Sequence, residues 1–334
     1  MPLKNKDSHC AVIGHGSWAT AIVKILLQNN NNIDWYVSNP DIRQHLEDHH
    51  TNPKYLSEVH FDSGKLIVCD DINKAVDASE IIILATPSAF LKGVLDGLTT
   101  SLTGKFVISA IKGIVPEDYL TVAEYLNKAY SIPFDQIGII TGPCHAEEIA
   151  LERLSYLTMV CKNPEHAAML GERFKTHYVK ITTSTDIYGT EYSAVLKNIY
   201  AIAVGICHGL GYGDNFLAVL ISNSALETDR FLNTTYPSDR DTNYSAYLGD
   251  LLVTCYSQFS RNRTFGMMIG KGYSVTTAQM EMNMIAEGYY STACIHHLKQ
   301  RWEVEMPIAD AVHAILYLHK SPAEEIKKIL DKLK

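Results

Sequence analysis

Six short β-branched or apolar runs alternate with helix-like stretches through the first half of the chain, and this alternation most narrows the fold. The runs are His9–Ile13, Ile33–Val37, Leu66–Cys69, Ile81–Ala85, Phe106–Ser109 and Ile137–Thr141, with a helix expected over Trp18–Gln28. Strands this apolar belong inside a sheet, and strands that alternate with helices pair in parallel. The pattern predicts a mostly parallel sheet covered on both faces. From about Tyr188 the β-rich runs stop, and apolar residues recur at helical spacing over Ala194–Cys207, Leu217–Leu232, Met280–Leu298 and Ile308–Leu318. The chain therefore reads as two domains, an α/β domain over residues 1–187 and an all-helical one over 188–334. With 334 residues, each has enough chain for its own core.

The connecting segments carry little chemistry. Asn29–Asn32 is a polar run between helix and strand, Thr234–Ser245 has the composition of a surface loop, and Ser321-Pro322 with Glu324 and Glu325 starts a last helix. A formal net charge of −8 with scattered lysines and arginines gives no footprint for nucleic acid. Seven dispersed cysteines lack the CxxC spacing of zinc or redox sites, a usage typical of a reducing compartment. The N-terminus has no apolar core of signal-peptide length and no segment is long enough to span a membrane, so a cytoplasmic protein is expected.

Gly14-His15-Gly16-Ser17-Trp18-Ala19 directly follows the first predicted strand and opens the first predicted helix. In that setting Gly14 permits a tight turn, Gly16 lets backbone amides approach a pyrophosphate at the helix N-terminus, and Ala19 allows close helix–strand packing. A Rossmann-type doubly wound, dinucleotide-binding domain follows. The end of the second strand normally separates NAD from NADP, through an acid for the ribose hydroxyls or an arginine for the extra phosphate. Here it reads Val37-Ser38-Asn39-Pro40; Asp34 falls early in the strand and Arg43 is read as a solvated helix residue, so NAD is favoured.

Two further segments follow strands at the edge where open parallel sheets bind ligands: Ser109-Ala110-Ile111-Lys112-Gly113 and Thr141-Gly142-Pro143-Cys144-His145-Ala146. Adjacent Cys and His side chains point different ways, which favours pocket lining over thiol catalysis for Cys144 and His145. In the helical half, Lys197 opens the apolar stretch Leu196–Asn215. A lysine there either snorkels to solvent or is positioned to exchange protons, since desolvation lowers its pKa. Asp250 lies inside another apolar run and needs a partner if buried, for which a lysine is the natural candidate. Ser260-Arg261-Asn262-Arg263 suits a phosphate grip, or else starts a capped helix with solvated arginines. Glu287 is another candidate polar contact, while His208, His296 and His297 lack metal-ligand spacing.

Taken in order, these segments resemble the NAD(P)-dependent glycerol-3-phosphate dehydrogenases of the bacterial type. GHGSWATA is similar to that family's GxGSWGTA, IKG to TKG, TGPCHAEE to GPSFAxE, and LKNIYAIAVGICHGLGYGDN to LKNxxAxxxGxxxGLGxGDN. LGDLLVTCYSQFSRNRTFG and AEGYYSTACIHHLKQRWEVEMPI continue the likeness. The resemblance implies an all-α C-terminal domain like that of 6-phosphogluconate dehydrogenase, and a homodimer. The implied activity is that of an oxidoreductase acting on CH–OH: reversible hydride transfer between a nicotinamide cofactor, NAD or NADP with no metal, and carbon 2 of sn-glycerol 3-phosphate. Its product would supply glycerophospholipid synthesis. The resemblance casts Lys197 as general acid/base, Lys112 as a second active-site lysine also near the cofactor, and Asp250 and Thr254 as orienting groups. It places Ser260, Arg261 and Asn262 at the substrate phosphate, Gly142 and Cys144 at the substrate, and Gly14, Gly16, Ser17, Trp18, Ala146, Arg261 and Glu287 at the cofactor. Two lysines sharing a cleft would lower each other's pKa and bring Lys197 toward the useful range.

The chain departs from the family where Ser38 replaces the usual arginine, and where Phe216–Leu220 and Ser222-Asn223-Ser224 lose two basic residues. Asn243–Asp250 replaces GLAGLGDL, and Cys144 a serine or asparagine. A β-hydroxyacid-type dehydrogenase would also use a lysine but would turn over non-phosphorylated substrates. A cofactor sensor would have no need of a proton donor.

Overall fold

The computed structural model describes residues 8–29, 31–282 and 286–334, and the chain divides into two compact units. The first comprises residues up to Ile111 and Val122–Ile187; the second comprises Lys112–Thr121 and Tyr188–Lys334. The excursion of residues 112–121 into the second unit is not visible in the element pattern, and it moves Lys112 out of the contiguous 1–187 range.

In the first unit β1 (Cys10–Ile13), α1 (Ser17–Gln28), β2 (Ile33–Tyr36), α2 (Pro40–His49), β3 (Leu66–Cys69), α3 (Ile72–Ala78), β4 (Ile81–Leu84), α4 (Leu91–Leu95) and β5 (Phe106–Ser109) follow one another. After the excursion, which carries the two-residue strands β6 (Ile114–Val115) and β7 (Leu120–Thr121), come α5 (Val122–Tyr130), β8 (Ile137–Thr141), α6 (Ala146–Ala150), β9 (Ser155–Cys161), α7 (Pro164–Phe174) and β10 (Val179–Ser184). The sheet order is β10-β9-β8-β5-β4-β1-β2-β3, parallel throughout except between β8 and β9. Strands β1, β4, β5 and β8 are wholly buried, which explains their unbroken apolar runs. The order reverses around β1, so the turn after β1 stands at a topological switch point.

Strands β9 and β10 were not anticipated. Thr182 and Thr183 of β10 are exposed, so the strand lacks the continuous apolar signature of a central one. At the other end of β2, Asp34 is 3% exposed and its carboxylate accepts from Ser79 Oγ at 3.0 Å, with His9 Nδ1 at 3.2 Å.

The second unit is helical: α8 (Ile187–Gly209), α9 (Asp214–Thr235), a π-helical turn (Ser245–Gly249), α10 (Asp250–Tyr256), α11 (Arg261–Gly270), α12 (Val275–Glu281), α13 (Glu287–Trp302), α14 (Pro307–Tyr317) and α15 (Pro322–Ile329). The single helix expected over Met280–Leu298 is two: Met282 and Ala286 are extended at the facing ends of α12 and α13, and residues 283–285 of that range lie outside the described residues. Apolar periodicity alone does not register such a break.

Helix α8 runs through the core of this unit, with Leu196, Ile199–Ala203 and Ile206 all fully buried. Its crossing with α11 is unusually close. A Cβ on Gly205 would lie 2.1 Å from Arg263 O, and one on Gly266 2.1 Å from Ile202 O. Gly209 and Gly270 repeat the approach one turn on, at 2.4 Å and 2.2 Å from the facing carbonyls. Gly288 at the start of α13 abuts Asn198 O in the same way, at 2.5 Å. With no side chain between them, the N-termini of α11 and α13 are drawn onto α8 beside Lys197 and Asn198.

Candidate active site

In the first unit the turn after β1 is built as the sequence implies. Gly14 has φ +123°, and a Cβ there would meet Ala85 O at 2.6 Å, so no larger residue fits. A Cβ on Gly16 would meet nothing within 4 Å, so the protein itself does not require glycine there. Gly16 caps α1 without a side-chain hydrogen bond, and the first turn holds no acid. That leaves the positive end of a 12-residue helix uncompensated. Trp18 Nε1 is a buried donor without a hydrogen-bond partner among the described residues. These features of the turn from Gly14 to Trp18 fit the pyrophosphate of a dinucleotide.

The Gly142–Ala146 segment has a more structural character. Gly142 takes φ +104° and presses on β9, where a Cβ would meet Tyr156 O at 2.9 Å. Cys144 Sγ donates to Gly142 O at 3.3 Å, and Ala146 is buried at the start of α6, which packs against α1.

In the second unit the charged residues converge. Asp250, 1% exposed, begins α10 straight after the π-helical turn. Lys197, 6% exposed, donates from Nζ to Asp250 Oδ1 at 2.5 Å and to Thr254 Oγ1 at 3.0 Å. Thr254 Oγ1 donates to Asp250 O at 2.6 Å, one helical turn back, which fixes its lone pair toward the lysine. Lys112 Nζ donates to Asp250 Oδ2 at 3.1 Å. Burial by itself would raise the Asp250 carboxyl, but Lys112 and then Lys197, with their hydrogen bonds, hold it below the ordinary carboxylate range. Of the two readings open for Lys197, snorkelling is ruled out by its burial and its partners.

Lys112 reaches this cluster because its segment belongs to the helical unit: Ile114 is buried in the helical core, and Tyr119 stacks on His297 of α13 at 4.0 Å. Its backbone is fixed by a relay. Gly288 N–H donates to Asn262 Oδ1 at 2.9 Å, Asn262 Nδ2 to Asn198 Oδ1 at 2.9 Å, and Asn198 Nδ2 to Lys112 O at 2.8 Å. Asn198 was not singled out from the sequence. It follows Lys197 on α8, about 100° round the helix, so it faces α11 while the lysine faces α10.

The SRNR segment combines both readings. Ser260 is the α11 N-cap and accepts from Arg263 N–H, a capped start that leaves its own O–H to donate elsewhere. Arg261 opens the helix and is exposed, and Asn262 is inside the relay. Glu287 begins α13, next to Gly288.

The profile described as "NAD-dependent glycerol-3-phosphate dehydrogenase N-terminus" matches residues 9–167, and the one described as "NAD-dependent glycerol-3-phosphate dehydrogenase C-terminus" matches residues 186–327. The chain belongs to the NAD-dependent glycerol-3-phosphate dehydrogenase family. Among its relatives, "Glycerol-3-phosphate dehydrogenase [NAD(P)+]" of Staphylococcus carnosus (strain TM300) is 32% identical over 326 residues, covering 97% of each chain. The Staphylococcus aureus (strain JH9) protein of the same name is 33% identical over 324 residues, 96% of this chain and 97% of its own. The crystal structure of glycerol-3-phosphate dehydrogenase from Coxiella burnetii superposes with TM-score 0.90 at 26% identity, over 98% of this chain and all of that one. The family is one of oxidoreductases, and among the described residues no helix is long and apolar enough to cross a membrane.

Proposed function

We propose that this chain catalyses the reversible NAD(P)-dependent interconversion of dihydroxyacetone phosphate and sn-glycerol 3-phosphate. One observation carries the reading: a buried lysine held at 2.5 Å by a carboxylate that a second lysine also grips. Ketone reduction needs a proton donor and fixed positive charge where an alkoxide develops, and two ammonium groups on one buried carboxylate supply both. The names of the relatives above support the substrate.

Gly14, Gly16, Ser17 and Trp18 would hold the dinucleotide, and when bound its nicotinamide supplies or accepts the hydride at carbon 2. In the direction of reduction, the Lys197 Nζ–H bond breaks as the O–H bond forms on the carbon-2 oxygen. Asp250 stays ionised and keeps Nζ aimed, Thr254 takes a second N–H, and Lys112 adds positive charge beside the developing oxyanion. Arg261 suits the substrate phosphate by charge-assisted hydrogen bonds, with Asn262 at the same end; Ser260 serves by capping the helix that carries them. Gly142, Cys144, Ala146 and Glu287 complete the proposed contacts with substrate and cofactor. We also propose a cytoplasmic homodimer, supported by the family resemblance and checked by light scattering in solution.

The test is loss of nicotinamide absorbance with dihydroxyacetone phosphate, for wild type and Lys197→Ala. Loss of a general acid should lower kcat by roughly 10²–10⁴-fold with dinucleotide binding intact. Near-normal turnover in the variant, or turnover of a non-phosphorylated hydroxy acid instead, overturns the proposal.

A further inference from the structure

Helix α8 carries one hydroxyl that the mechanism above does not use. Ser193 is 5% exposed and lies one helical turn before Lys197, so both side chains occupy the same face and the lysine stem leans back over the serine. Serine and threonine within a helix often bond the carbonyl one turn back. Ser222, Ser224 and Thr228 of α9 do so, donating to Ala218 O at 3.0 Å, Leu220 O at 2.8 Å and Ser224 O at 3.0 Å. Ser193 Oγ does not: it is buried and has no hydrogen-bond partner among the described residues. Burying a hydroxyl unpaired is costly, so its direction needs a cause.

That cause is a cavity beside the lysine. Ser193 and Lys197 line it from α8, Ala225 and Thr228 from α9, Leu251 from α10, and Thr242 from the connection between α9 and the π-helical turn. Its volume is about 20 Å³, enough for one water molecule, which needs roughly 10–15 Å³. Polar partners for a water are in place. Ser193 Oγ can donate or accept, and Thr228 Oγ1, whose proton goes to Ser224 O, can still accept. Thr242 is half-buried, so the cavity approaches solvent on that side, whereas Lys197 and Asp250 are themselves buried.

The reaction gives such a water a role. Each ketone reduced takes a proton from Lys197 Nζ, and the amine must regain one before the next turnover. On the substrate side, the new hydroxyl stands in the way until product leaves. We propose that the Ser193 cavity holds a single water that returns the proton to Lys197 by a path separate from the substrate, with Ser193 and Thr242 as the relay to solvent. As an N–H bond forms on Nζ, an O–H bond of the water breaks, and the water takes a proton in turn from the solvent side past Thr242. One proton thus enters from solvent for each ketone reduced, and no hydroxide is left behind. In the direction of oxidation the same steps run in reverse. The inference rests on the dehydrogenase reading above.

The test is a stopped-flow single turnover of the full chain, in excess over NADH, mixed with dihydroxyacetone phosphate in weak buffer near neutrality. Nicotinamide absorbance and a pH-indicator dye are followed together. In wild type, proton uptake should match NADH loss in both rate and amount. Ser193→Val fills the cavity with methyl groups. NADH loss should then stay within about twofold of wild type, because Lys197 begins the turnover protonated, while proton uptake should fall roughly tenfold behind it, as expected for loss of one hydrogen bond in the relay. Thr242→Val, at the half-buried wall, should lag in the same sense, and it decides the matter if Ser193→Val does not fold. Uptake that trails NADH loss in wild type, uptake that keeps pace in the variant, or a variant that slows both steps equally would overturn the inference and leave the dehydrogenase reading standing. Absence of NADH loss in wild type would overturn that reading as well.

Discussion

Replacing Asp250 with asparagine isolates what the central carboxylate does. Asparagine keeps the shape but removes the charge, and turns an NH₂ or a neutral oxygen toward two ammonium groups. The Lys112 side chain is 18% exposed and can recover part of its hydration, whereas that of Lys197, at 7%, cannot. The cost is therefore that of one unpaired buried cation, about 3–5 kcal/mol. Because the two compact units need not unfold together, the fitting assay is hydrogen exchange followed on peptides from α8 and α10, where 3 kcal/mol appears as a loss of protection of roughly 150-fold. The pH dependence supplies a second check. The Asp250 carboxyl is held below its ordinary range, so its contribution is present in full above the unfolded value and is lost as pH falls through the folded one. The gap between wild type and Asp250→Asn should be full at neutral pH and close in acid, below the ordinary carboxylate range. A gap under about 1 kcal/mol at neutral pH, well short of the cost of breaking a buried pair, or one that persists unchanged in acid, refutes the assignment.

Two further outcomes follow from packing and burial. Gly266→Ala gains about 1 kcal/mol of helix propensity but sets a Cβ against Ile202 O, so urea denaturation should show a net loss of about 2 kcal/mol or more. Gly93→Ala in α4, where a Cβ meets nothing within 4 Å, should be neutral or stabilising. Glu227 of α9 is 2% exposed and accepts from the N–H groups of Ile308 and Ala309 at the start of α14. Burial raises its pKa from 4.5 to about 7 despite those bonds. Its stabilising contribution is thus full below pH 4.5 and lost as pH rises through 7, worth about 3 kcal/mol over that span at ~1.36 kcal/mol per pH unit. Melting of Glu227→Gln between pH 5 and 8 should lack that decline.

The sheet core, the helix after β1 and most helices of the second unit were legible because burial imposes a local period. A strand buried on both faces must be apolar throughout, and a helix buried on one face repeats its apolar residues every three to four positions. Gly14 and Gly16 were legible for a related reason, since a strand–glycine–helix turn is a local conformation. Strands β9 and β10 escaped because β9 carries the exposed Tyr156 and β10 lies at the sheet edge with polar threonines, so neither reads as a continuous core run. The break between α12 and α13 escaped because amphipathic spacing continues across it.

The candidate site divides in the same way. That Lys197 and Asp250 would need partners was evident from a charge inside an apolar run, whose desolvation has to be offset. That each would be the other's partner, with Lys112 joining from residues 112–121, depends on contacts spanning 53 and 138 positions of chain. Asn198 had no local signature, because its role exists only where Gly266 and Gly288 let α11 and α13 come up against α8. Asp34 and Arg43 show the same limit from the other side: Ser79 takes up the Asp34 carboxylate, and Arg43, read as a solvated helix residue, is only partly exposed and donates from Nη1 to Val37 O at 3.2 Å. Which segments are buried and which charges need compensation can be read locally, because burial energy acts on each residue's own chemistry. Which charges compensate which is settled only in three dimensions, because that depends on backbone approach between segments remote in the chain.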